Sequence, residues 1–537
     1  MDLQKTVPWE TIPEMLEDVF SRYAELDVIV DGDVRLSYQQ LGELVRKCAG
    51  AMLHTGLKNG DRVAIWAANS WRWEVSALAC WWLGLVVVPI SPRLKNLEAL
   101  PILEEVSPKL IFLGSESLQA PVVNDLAGSE KKDQKSLSDY LPGCLEIVVL
   151  TGAPSSGIRS WDKYISGHHI EEARYPAKIS GEDICQIIFT SGTTGKPKGV
   201  MMGGGQNLRS FFNKPAAQEY KKGDRFLLTT PFSHIVGLYS GMLNSLMRGM
   251  AQIFAGDNMG QKLADLILRE KVAVMTGPPS LFAQLLVEKV EGVSVLAGVR
   301  NISTGAAYIP QQLIEDLRGV GVEGVYTGYG LTECSVVTGT GPDDSLEDIA
   351  STVGKPLDGV FLKLLDNGGE PVTNGTVGEI WVSGYGVMQG YFENQEATSN
   401  VIDDEGWLNT GDLGRLLESG FLQIVGRKKE MYISHGFNVY PAEVEGLLLK
   451  SEFLKAVAVV GKENRLSGEE GIAFIVPKDL NNFDLSILRN WARKNLANYK
   501  VPTKFIVQDS LPLNANGKVD KLQLKKSLSS EAPLPIG

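Results

Sequence analysis

The chain has 537 residues, of which 44% are hydrophobic and 22% charged, so it can bury a large core and form more than one domain. Lys and Arg number 52 against 64 Asp and Glu, and the net charge of -12 disfavours nucleic-acid binding as the main activity. The five cysteines are scattered and odd in number, which excludes a disulfide scaffold and indicates a reducing, cytoplasmic location.

Neither the N-terminal residues nor the apolar runs indicate export or membrane insertion. The first six residues lack a basic region followed by an apolar stretch. The longest apolar run, Val75 to Ile90, is interrupted by Ser76 and Gly84 and is shorter than the roughly 20 residues that span a bilayer. We therefore expect no integral membrane segment, and a buried helix that continues into a buried strand.

Strands and helices alternate through the first part of the chain. Ser37 and Gln40 form a capping-box pattern before an amphipathic helix, and Arg62 to Trp66 is a buried-strand pattern. A helix follows from about Trp71, then a strand from Leu85 to Ile90, and the alternation resumes at Ala251. This order predicts an α/β fold with a largely parallel sheet covered by helices.

The pattern weakens between Gly114 and Arg174, which we interpret as surface connections or a poorly ordered excursion. From Ser351 short strands and turn signals predict a β-rich unit. After Gly426 a tail of strands and helices has the size of a small separate domain, and we place the boundary near Arg427.

The sharpest local signal is a strand, Ile187 to Thr190, that opens into a loop rich in Ser, Thr, Gly and Lys and ends at Lys198 and Gly199. Glycines let backbone N–H groups approach phosphate oxygens, hydroxyls donate further hydrogen bonds, and lysines supply charge. The spacing differs from that of a Walker loop, since Gly192 and Gly195 are three apart and Lys196 precedes Pro197. A glycine-rich surface turn is the less favoured alternative.

Together with this loop, five further segments resemble the acyl-adenylate-forming superfamily, which contains acyl-CoA and aryl-CoA ligases, luciferases and peptide-synthetase adenylation domains. They occur in the family order and are Pro231–Gly237, Tyr329–Glu333, Gly406–Asp412, Gly426–Glu430 and Leu511–Val519. The resemblance covers nearly the whole chain and is greatest to stand-alone acid–CoA ligases. It implies a multidomain α/β fold: a large N-terminal domain of βαβ layers with a β-barrel-like part, residues 1–426, and a small mobile α+β C-terminal domain, residues 427–537.

The implied reaction activates a carboxylic acid with ATP and Mg²⁺ to an acyl-AMP, and then transfers the acyl group to coenzyme A. A carboxylate needs such activation because its charge repels nucleophiles and its oxide is a poor leaving group, and phosphoryl chemistry depends on positioning and cations. Transfer to a carrier-protein thiol or to an amine is the alternative. A carrier protein and a second copy of the chain are the further candidate partners.

The resemblance also assigns residues to the nucleotide. The phosphate loop contributes Thr190, Ser191, Gly192, Thr193, Thr194 and Lys198. Tyr329 would stack on adenine opposite Gly305 and Ala306, and Asp412 would accept hydrogen bonds from the ribose hydroxyls. A core tyrosine and an ordinary turn aspartate are the alternative interpretations.

Four residues are the catalytic candidates. Glu333 offers a hard oxygen ligand for Mg²⁺, and Thr332 a hydroxyl for a phosphate oxygen. By resemblance Lys518 bridges carboxylate and phosphate oxygens, and His234 lies near the acyl carboxylate, where it can act as a gate. The alternative interpretations are a surface carboxylate for Glu333, a solvated lysine for Lys518 and a hydrogen-bonded core histidine for His234.

The segment from Arg427 to Glu430 resembles the family's domain junction. Arg427 would contact ribose or phosphate, Lys429 would be the hinge residue, and Gly436 would let the pantetheine chain of coenzyme A pass close to the backbone. A charged surface loop is the alternative for this segment.

The acid itself is predicted only by class. The segment Phe232 to Gly237 lacks the aspartate with which amino-acid-activating relatives pair the substrate ammonium, so a free amino acid is disfavoured. Apolar candidate pocket walls fit a fatty, cyclic or aromatic acid; they are Ile235, Val236, Leu238, Thr304, Val336 and Val337. Two departures from the family pattern are Gly203–Gly205 where a Thr-His pair is common, and Gly386 where proline is common.

Overall fold

The computed structural model describes residues 7–115, 141, 143–153, 158–168, 178–190, 197–256, 258, 260–290, 292–305, 309–434, 437–464, 468–480, 482–514 and 517–529. The chain divides into two compact units. The first comprises residues 1–349, 354–361 and 382–408, and the second comprises 350–353, 362–381 and 409–537.

The helices of the first unit begin with Ile12–Arg22, which carries a complete capping box between Thr11 and Glu14. The second, Tyr38–Thr55, has the predicted box between Ser37 and Gln40 and ends at Gly56, whose φ is 95°. The remaining α-helices of this unit are Trp71–Trp82, Asn96–Val106, Trp161–Ile165, Gly204–Phe212, Asn244–Met247, Gln261–Arg269, Pro279–Val287, Gln311–Gly319 and Gln395–Ser399, with 3₁₀ helix Pro215–Glu219 and π-helix Val236–Leu243.

A seven-stranded sheet forms one layer of this unit. Its strands are β1 Asp27–Asp31, β2 Val34–Ser37, β10 Arg225–Leu228, β11 Ala251–Phe254, β12 Val274–Gly277, β15 Asn301–Thr304 and β16 Gly324–Tyr326. They are arranged in the order β16-β15-β12-β10-β11-β1-β2, and all neighbours are parallel except β1 and β2. The predicted alternation from Ala251 onward is confirmed here.

An eight-stranded sheet forms a second layer. Its strands are β3 Arg62–Trp66, β4 Val86–Ile90, β5 Leu110–Leu113, β6 Glu146–Val149, β7 Arg159–Ser160, β8 Ile184–Thr190, β9 Lys198–Gly203 and β22 Gly390–Tyr391. They are arranged in the order β22-β9-β8-β4-β3-β5-β6-β7. The helix Trp71–Trp82 is buried along almost its whole length in the core between these elements.

The interpretation of residues 114–174 as surface connections is wrong for part of that stretch. β6 and β7 extend the parallel sheet beyond β5, and Trp161 and Tyr164 are buried in the main core. The sequence signal was weak because these strands have only four and two residues, too few for a recognisable period. Residues 116–140 lie outside the described residues.

Three small sheets contain most of the strands that remain outside the two large sheets. β17 Gly328–Leu331, β18 Ser335–Gly339 and β19 Lys355–Pro356 form an antiparallel sheet, and β13 Lys289–Val290 pairs with β14 Val293–Ser294. The predicted β-rich part is confirmed as a four-stranded sheet of β20 Val360–Leu365, β21 Gly378–Gly384, β23 Leu408–Leu416 and β24 Leu422–Arg427.

The tail of the second unit forms a five-stranded sheet backed by helices. Its strands are β25 Tyr432–Ser434, β26 Phe437–Val439, β27 Leu454–Asn464, β28 Gly468–Pro477 and β29 Lys504–Val507. The helices of this unit are Pro441–Leu449, Leu485–Asn495, Lys521–Ser529 and 3₁₀ helix Asn498–Lys500, and Leu346–Ser351 ends in it. Apolar residues of these strands and of the first two helices form a separate core. The strands and helices predicted for the tail after Gly426 are confirmed.

Candidate active site

The predicted phosphate loop connects two antiparallel strands. β8 and β9 pair with Thr190 opposite Lys198, so these two residues mark the two ends of the loop. Ser191, Gly192, Thr193 and Thr194 lie outside the described residues. A strand–loop–strand arrangement differs from the strand–loop–helix of a Walker site, in agreement with the spacing argument.

Glu333 lies in a turn between β17 and β18, and its carboxylate accepts a hydrogen bond from the Tyr391 hydroxyl at 3.2 Å. The backbone carbonyl of Glu333 accepts a second bond, from Met388 N–H at 2.8 Å. The ammonium of Lys198 lies 4.9 Å from the centroid of the Tyr391 ring, within cation–π range. Three separate chain segments therefore bring a carboxylate, a phenol and an ammonium together at the end of the phosphate loop.

Tyr391 was not among the residues predicted from the sequence. It comes to Glu333 because β22 pairs antiparallel with β9, which sets Tyr391 opposite Val200. Burial, and then the negative charge of Glu333, raise the pKa of the Tyr391 hydroxyl far above its ordinary value, so it donates to the carboxylate over the whole working pH range. Strand pairing across 190 residues of chain leaves no local pattern that could have indicated this contact.

The donor set at Glu333 fits Mg²⁺. Mg²⁺ is usually held by one or two carboxylates together with substrate phosphates and water rather than by an all-protein cage. Within the described part of the chain no cluster of three or more His, Cys, Asp or Glu side chains could hold a metal by itself. A single carboxylate next to a phosphate loop therefore matches the way this ion binds with a nucleotide.

Tyr329 and Gly305 lie at adjoining strand ends. Tyr329 is half-buried in β17, opposite Thr338 of β18. Gly305 follows β15, and a Cβ atom there would be 3.7 Å from the carbonyl oxygen of Gly328. The two residues proposed to enclose adenine thus come from neighbouring backbone segments, and Ala306 lies outside the described residues. Thr332 is half-buried in the turn that carries Glu333.

His234 closes the turn that leads into the π-helix, since its N–H donates to the Pro231 carbonyl at 3.0 Å. Its Nδ1 accepts a hydrogen bond from Val236 N–H at 3.2 Å, so the proton of the neutral ring is on Nε2. The side chain is half-buried rather than fully enclosed. Gly237 has no room for a side chain, because a Cβ atom would lie 2.2 Å from the carbonyl oxygen of Pro231. The sharp turn therefore depends on glycine and fixes where the imidazole lies.

Both departures from the family pattern are positions of close backbone approach. A Cβ atom on Gly386 would be 2.8 Å from the carbonyl oxygen of Cys334, directly after Glu333. Gly203 lies similarly close to the carbonyl oxygen of Gly181, and Gly205 to that of Glu10. Side chains at these positions would displace the neighbouring backbone, so packing explains the glycines.

In the second unit, Asp412 and Arg427 occupy opposite positions on β23 and β24. Arg427 Nε lies 3.1 Å from Asp412 Oδ1, and the carboxylate side chain is only 6% exposed while the arginine is 51% exposed. The Asp412 N–H donates to the Thr410 hydroxyl at 3.1 Å, a local contact within β23 that restrains the backbone next to the carboxylate. The two residues predicted to contact ribose therefore form one ion pair that is open to solvent on the arginine side.

Lys429 and Lys518 are both exposed residues of turns in the second unit. Lys429 is the central residue of the turn Lys428–Glu430, directly after β24. Lys518 lies on a tight hairpin in which Asn514 N–H donates to the Lys518 carbonyl at 2.7 Å and Gly517 has a φ of 77°. This hairpin presents the lysine side chain to solvent, and Gly436 lies outside the described residues.

Two family models match the chain. The model for the AMP-binding enzyme matches residues 16–392, and the model for the AMP-binding enzyme C-terminal domain matches residues 443–518. The first covers well over half of the chain. The chain belongs to the AMP-binding enzyme family, and the superfamily inferred from its motifs is confirmed.

Two curated relatives of the chain are named as CoA ligases. One from Rhodococcus jostii, a propanoyl:CoA ligase whose acyl group carries a methyl-dioxo-octahydroindene ring system, is 33% identical over 522 residues, covering 96% of this chain and 98% of the relative. A mitochondrial medium-chain acyl-CoA ligase from Mus musculus is 28% identical and covers 98% of this chain and 88% of its own length.

Solved structures confirm the predicted fold class. An anthranilate CoA ligase in complex with anthranoyl-AMP superposes with a TM-score of 0.86 at 22% identity, covering 97% of this chain and 98% of its own. An O-succinylbenzoate coenzyme A synthetase from Bacillus subtilis in complex with AMP has a TM-score of 0.79 at 28% identity, covering 96% and 98%. No helix of the described residues is long and apolar enough to cross a membrane.

Proposed function

We propose that this enzyme is an AMP-forming acid–CoA ligase, which converts a carboxylic acid and ATP into an acyl-AMP and then into acyl-CoA. The observation that carries the proposal is the convergence of Lys198, Glu333 and Tyr391 at the end of the phosphate loop. Membership in the AMP-binding family and a 33% identical CoA ligase support it.

In the first half-reaction an oxygen of the carboxylate forms a bond to the α-phosphorus of ATP. The bond from that phosphorus to the β-bridging oxygen breaks, and pyrophosphate leaves with the electron pair. Lys198 offers positive charge to the phosphates, and Glu333 would hold Mg²⁺, which when bound neutralises phosphate charge. The Tyr391 hydroxyl keeps the Glu333 carboxylate oriented toward that task.

In the second half-reaction the sulfur of coenzyme A attacks the carbonyl carbon of the acyl-AMP. The bond to the phosphate oxygen breaks, AMP leaves, and the thiol proton passes to solvent. We assign Lys518 to the first half-reaction and the segment around Gly436 to the second, with Lys429 as the hinge between the two arrangements. The exposure of Lys429 and Lys518 on short turns is compatible with these roles. On this proposal residues 1–426 and 427–537 are the two moving parts.

Nucleotide contacts in the second unit follow from the Asp412–Arg427 pair. Asp412 is an acceptor for both ribose hydroxyls, and Arg427 supplies charge toward ribose or phosphate. Tyr329 and Gly305 are proposed to contact adenine, and Thr332 the α-phosphate.

The acid is proposed to be fatty, cyclic or aromatic. The acyl groups named for the relatives, a fused-ring propanoate and medium-chain acids, belong to these classes. Val236, Val336 and Val337 are the proposed apolar walls, and the first two pack at the margin of the main core. A homodimer and a carrier-protein partner stay predictions.

The test measures pyrophosphate release and acyl-CoA formation across a panel of acids, with and without coenzyme A. We expect acid-dependent pyrophosphate and, with coenzyme A present, a thioester and AMP. Glu333→Gln should abolish both products, whereas Glu104→Gln, at an exposed position of the helix Asn96–Val106 with no proposed role in the reaction, should change neither. Adenylate without thioester would favour transfer to a carrier-protein thiol or an amine, and absence of pyrophosphate with every acid would refute the proposal.

A further inference from the structure

A group of hydrogen-bond donors lies where the helix Gly204–Phe212 ends against the π-helix; Ser240 and Asn244 are buried, and Lys214 and Arg248 are half-buried. The Lys214 ammonium donates to the Ser240 hydroxyl at 3.0 Å. Ser240 lies on the π-helix six residues after His234, and it is 3% exposed. Burial lowers the pKa of Lys214 to about 8, and no carboxylate of the described residues pairs with its ammonium.

A second cation joins the same face. Asn244 and Arg248 follow Ser240 at steps of four residues, so the three lie on one side of consecutive helical turns. Arg248 Nε donates to Asn244 Oδ1 at 3.0 Å, and Arg248 Nη2 donates to the Phe212 carbonyl at 2.7 Å. The segment Phe212–Lys214 therefore faces Ser240, Asn244 and Arg248 across one narrow region.

Donors exceed acceptors in this group, which we call the donor cluster: Lys214, Ser240, Asn244 and Arg248. Since the oxygen of Asn244 is used by Arg248, its amide nitrogen must point elsewhere, and that fully buried nitrogen has no partner among the described residues. Lys214 carries three protons and gives one of them to Ser240. A buried donor without an acceptor and half-buried cations without a carboxylate partner cost free energy, and a ligand that supplies the acceptor would remove that cost.

The donor cluster lies among elements that bear the proposed acyl pocket walls. Ser240 is on the π-helix that contains Val236 and Leu238. Pro215, next to Lys214, lies against Gly339 at the end of β18, with its Cδ 3.0 Å from the position of a Cβ on that glycine. β18 also contains Val336 and Val337. The cluster is thus tied to both elements that carry the proposed walls: Ser240 lies four residues after Val236 on the π-helix, and Pro215 contacts the end of β18.

We propose that the donor cluster binds an acceptor oxygen, of a carbonyl or a second carboxylate, at the distal end of the acid substrate. This inference rests on the proposed function, and it narrows the substrate class to acids with two polar ends and an apolar middle. A plain fatty acid would bury its methyl end against Lys214 and leave the remaining N–H groups of the ammonium without an acceptor, which disfavours binding.

The experiment compares three acids at each length from hexanoate to decanoate: the plain alkanoate, its analogue with a ketone one carbon from the far end, and the dicarboxylate. We expect kcat/KM for pyrophosphate release to favour an oxygen-bearing acid by about tenfold or more at one length. Lys214→Met should remove that preference through KM for the acid, without changing KM for ATP. Lys214→Arg should retain it.

Lys262→Met is the matched control, because Lys262 is exposed on the helix Gln261–Arg269 and should leave the preference intact. A ketone preference would indicate a neutral carbonyl, and a dicarboxylate preference an anion; either supports the inference if Lys214→Met removes it. Equal or better use of the plain alkanoates, or a preference that survives Lys214→Met, would overturn it.

The binding of the same acids, measured by calorimetry, separates this inference from the proposed function. If no acid releases pyrophosphate, the proposed function fails, but tighter binding of an oxygen-bearing acid that is lost in Lys214→Met would still support the donor cluster. Equal binding of all three acids to the wild-type protein would overturn the inference whether or not the enzyme is active.

Discussion

The hydroxyl of Tyr391 donates a hydrogen bond to the carboxylate of Glu333 at 3.2 Å. The phenol therefore limits the orientations available to the carboxylate that is proposed to bind Mg²⁺. Residues that are hydrogen-bonded to a metal ligand commonly orient that ligand and affect how tightly the metal binds.

Tyr391→Phe should lower kcat for adenylation by about tenfold, because a hydrogen bond to a charged group contributes about 1.5 kcal/mol. The Mg²⁺ concentration needed for half-maximal activity should rise at the same time, since the carboxylate is less well oriented. Pyrophosphate release measured against Mg²⁺ concentration tests this. An unchanged Mg²⁺ dependence would show that Tyr391 has only a packing role.

Arg427→Ala should raise KM for ATP by about tenfold, because the exposed guanidinium next to Asp412 is proposed to contact the nucleotide. Arg427→Lys keeps the charge but not the forked geometry, and it should give an intermediate value. Initial rates at varied ATP with saturating acid give KM for ATP, and rates at varied acid with saturating ATP give KM for the acid. If KM for the acid rose instead of KM for ATP, the assignment to the nucleotide would be wrong.

Lys429→Pro should spare acyl-AMP formation and reduce thioester formation by about tenfold or more, because proline fixes φ in the turn after β24. Lys429→Ala leaves the backbone free and should retain both half-reactions. The two products are measured separately in single-turnover reactions. Equal loss of both half-reactions would argue against the hinge.

Lys521→Met should destabilise the protein by about 2 kcal/mol, because the Lys521 ammonium pairs with Glu430 at 2.7 Å and with Glu445 at 2.8 Å in a largely buried site. Burial alone would lower the pKa of Lys521, but the two carboxylates outweigh it and raise the pKa above 10.5. The stabilisation is therefore full below pH 10.5 and is lost as the pH rises through the folded-state value.

Urea unfolding at pH 7 and above pH 10.5 measures this difference. Lys526→Met is the control, since Lys526 lies on the same helix and is exposed. A similar loss in both variants would mean that the helix, rather than the ion pairs, was affected.

Glu74→Gln should alter how stability depends on pH. Glu74 is fully buried and accepts a hydrogen bond from the Gln252 amide at 2.7 Å, and burial raises its pKa from 4.5 to about 8. The folded protein therefore holds a proton that the unfolded chain releases, so wild-type stability should fall by up to about 1.4 kcal/mol per pH unit between pH 4.5 and 8.

Glutamine can keep the contact with Gln252 and does not ionise, so the variant should lack this slope. Thermal unfolding across the same pH range compares the two proteins, with Glu104→Gln as the exposed control. Parallel pH profiles for wild type and Glu74→Gln would rule out a titrating carboxyl at this site.

Local patterns predicted the elements that depend on local interactions. The capping box at Ser37 and the strand Arg62–Trp66 appear as predicted, and the tail after Gly426 contains strands and helices as predicted. The motif order predicted the family, and it named Glu333, Asp412 and Arg427 as site residues; the roles of these residues stay predictions.

Contacts between distant segments could not be predicted in this way. Tyr391 reaches Glu333 only through the pairing of β22 with β9, and Lys214 reaches Ser240 only through the packing of two helices. No periodicity in either segment encodes its partner, because the register is set by tertiary packing. The short strands β6 and β7 were missed for the related reason that the sheet, rather than their own sequence, defines them.

The turn that bears Glu333 is held from outside by backbone groups, since Met388 donates its N–H to the Glu333 carbonyl and Gly386 lies against the carbonyl of Cys334. These two contacts do not depend on the side chains of Val387 and Met388. Homologues can therefore exchange those two side chains while conserving the carboxylate's position, and divergence at residues 387 and 388 would not by itself indicate a change in metal use.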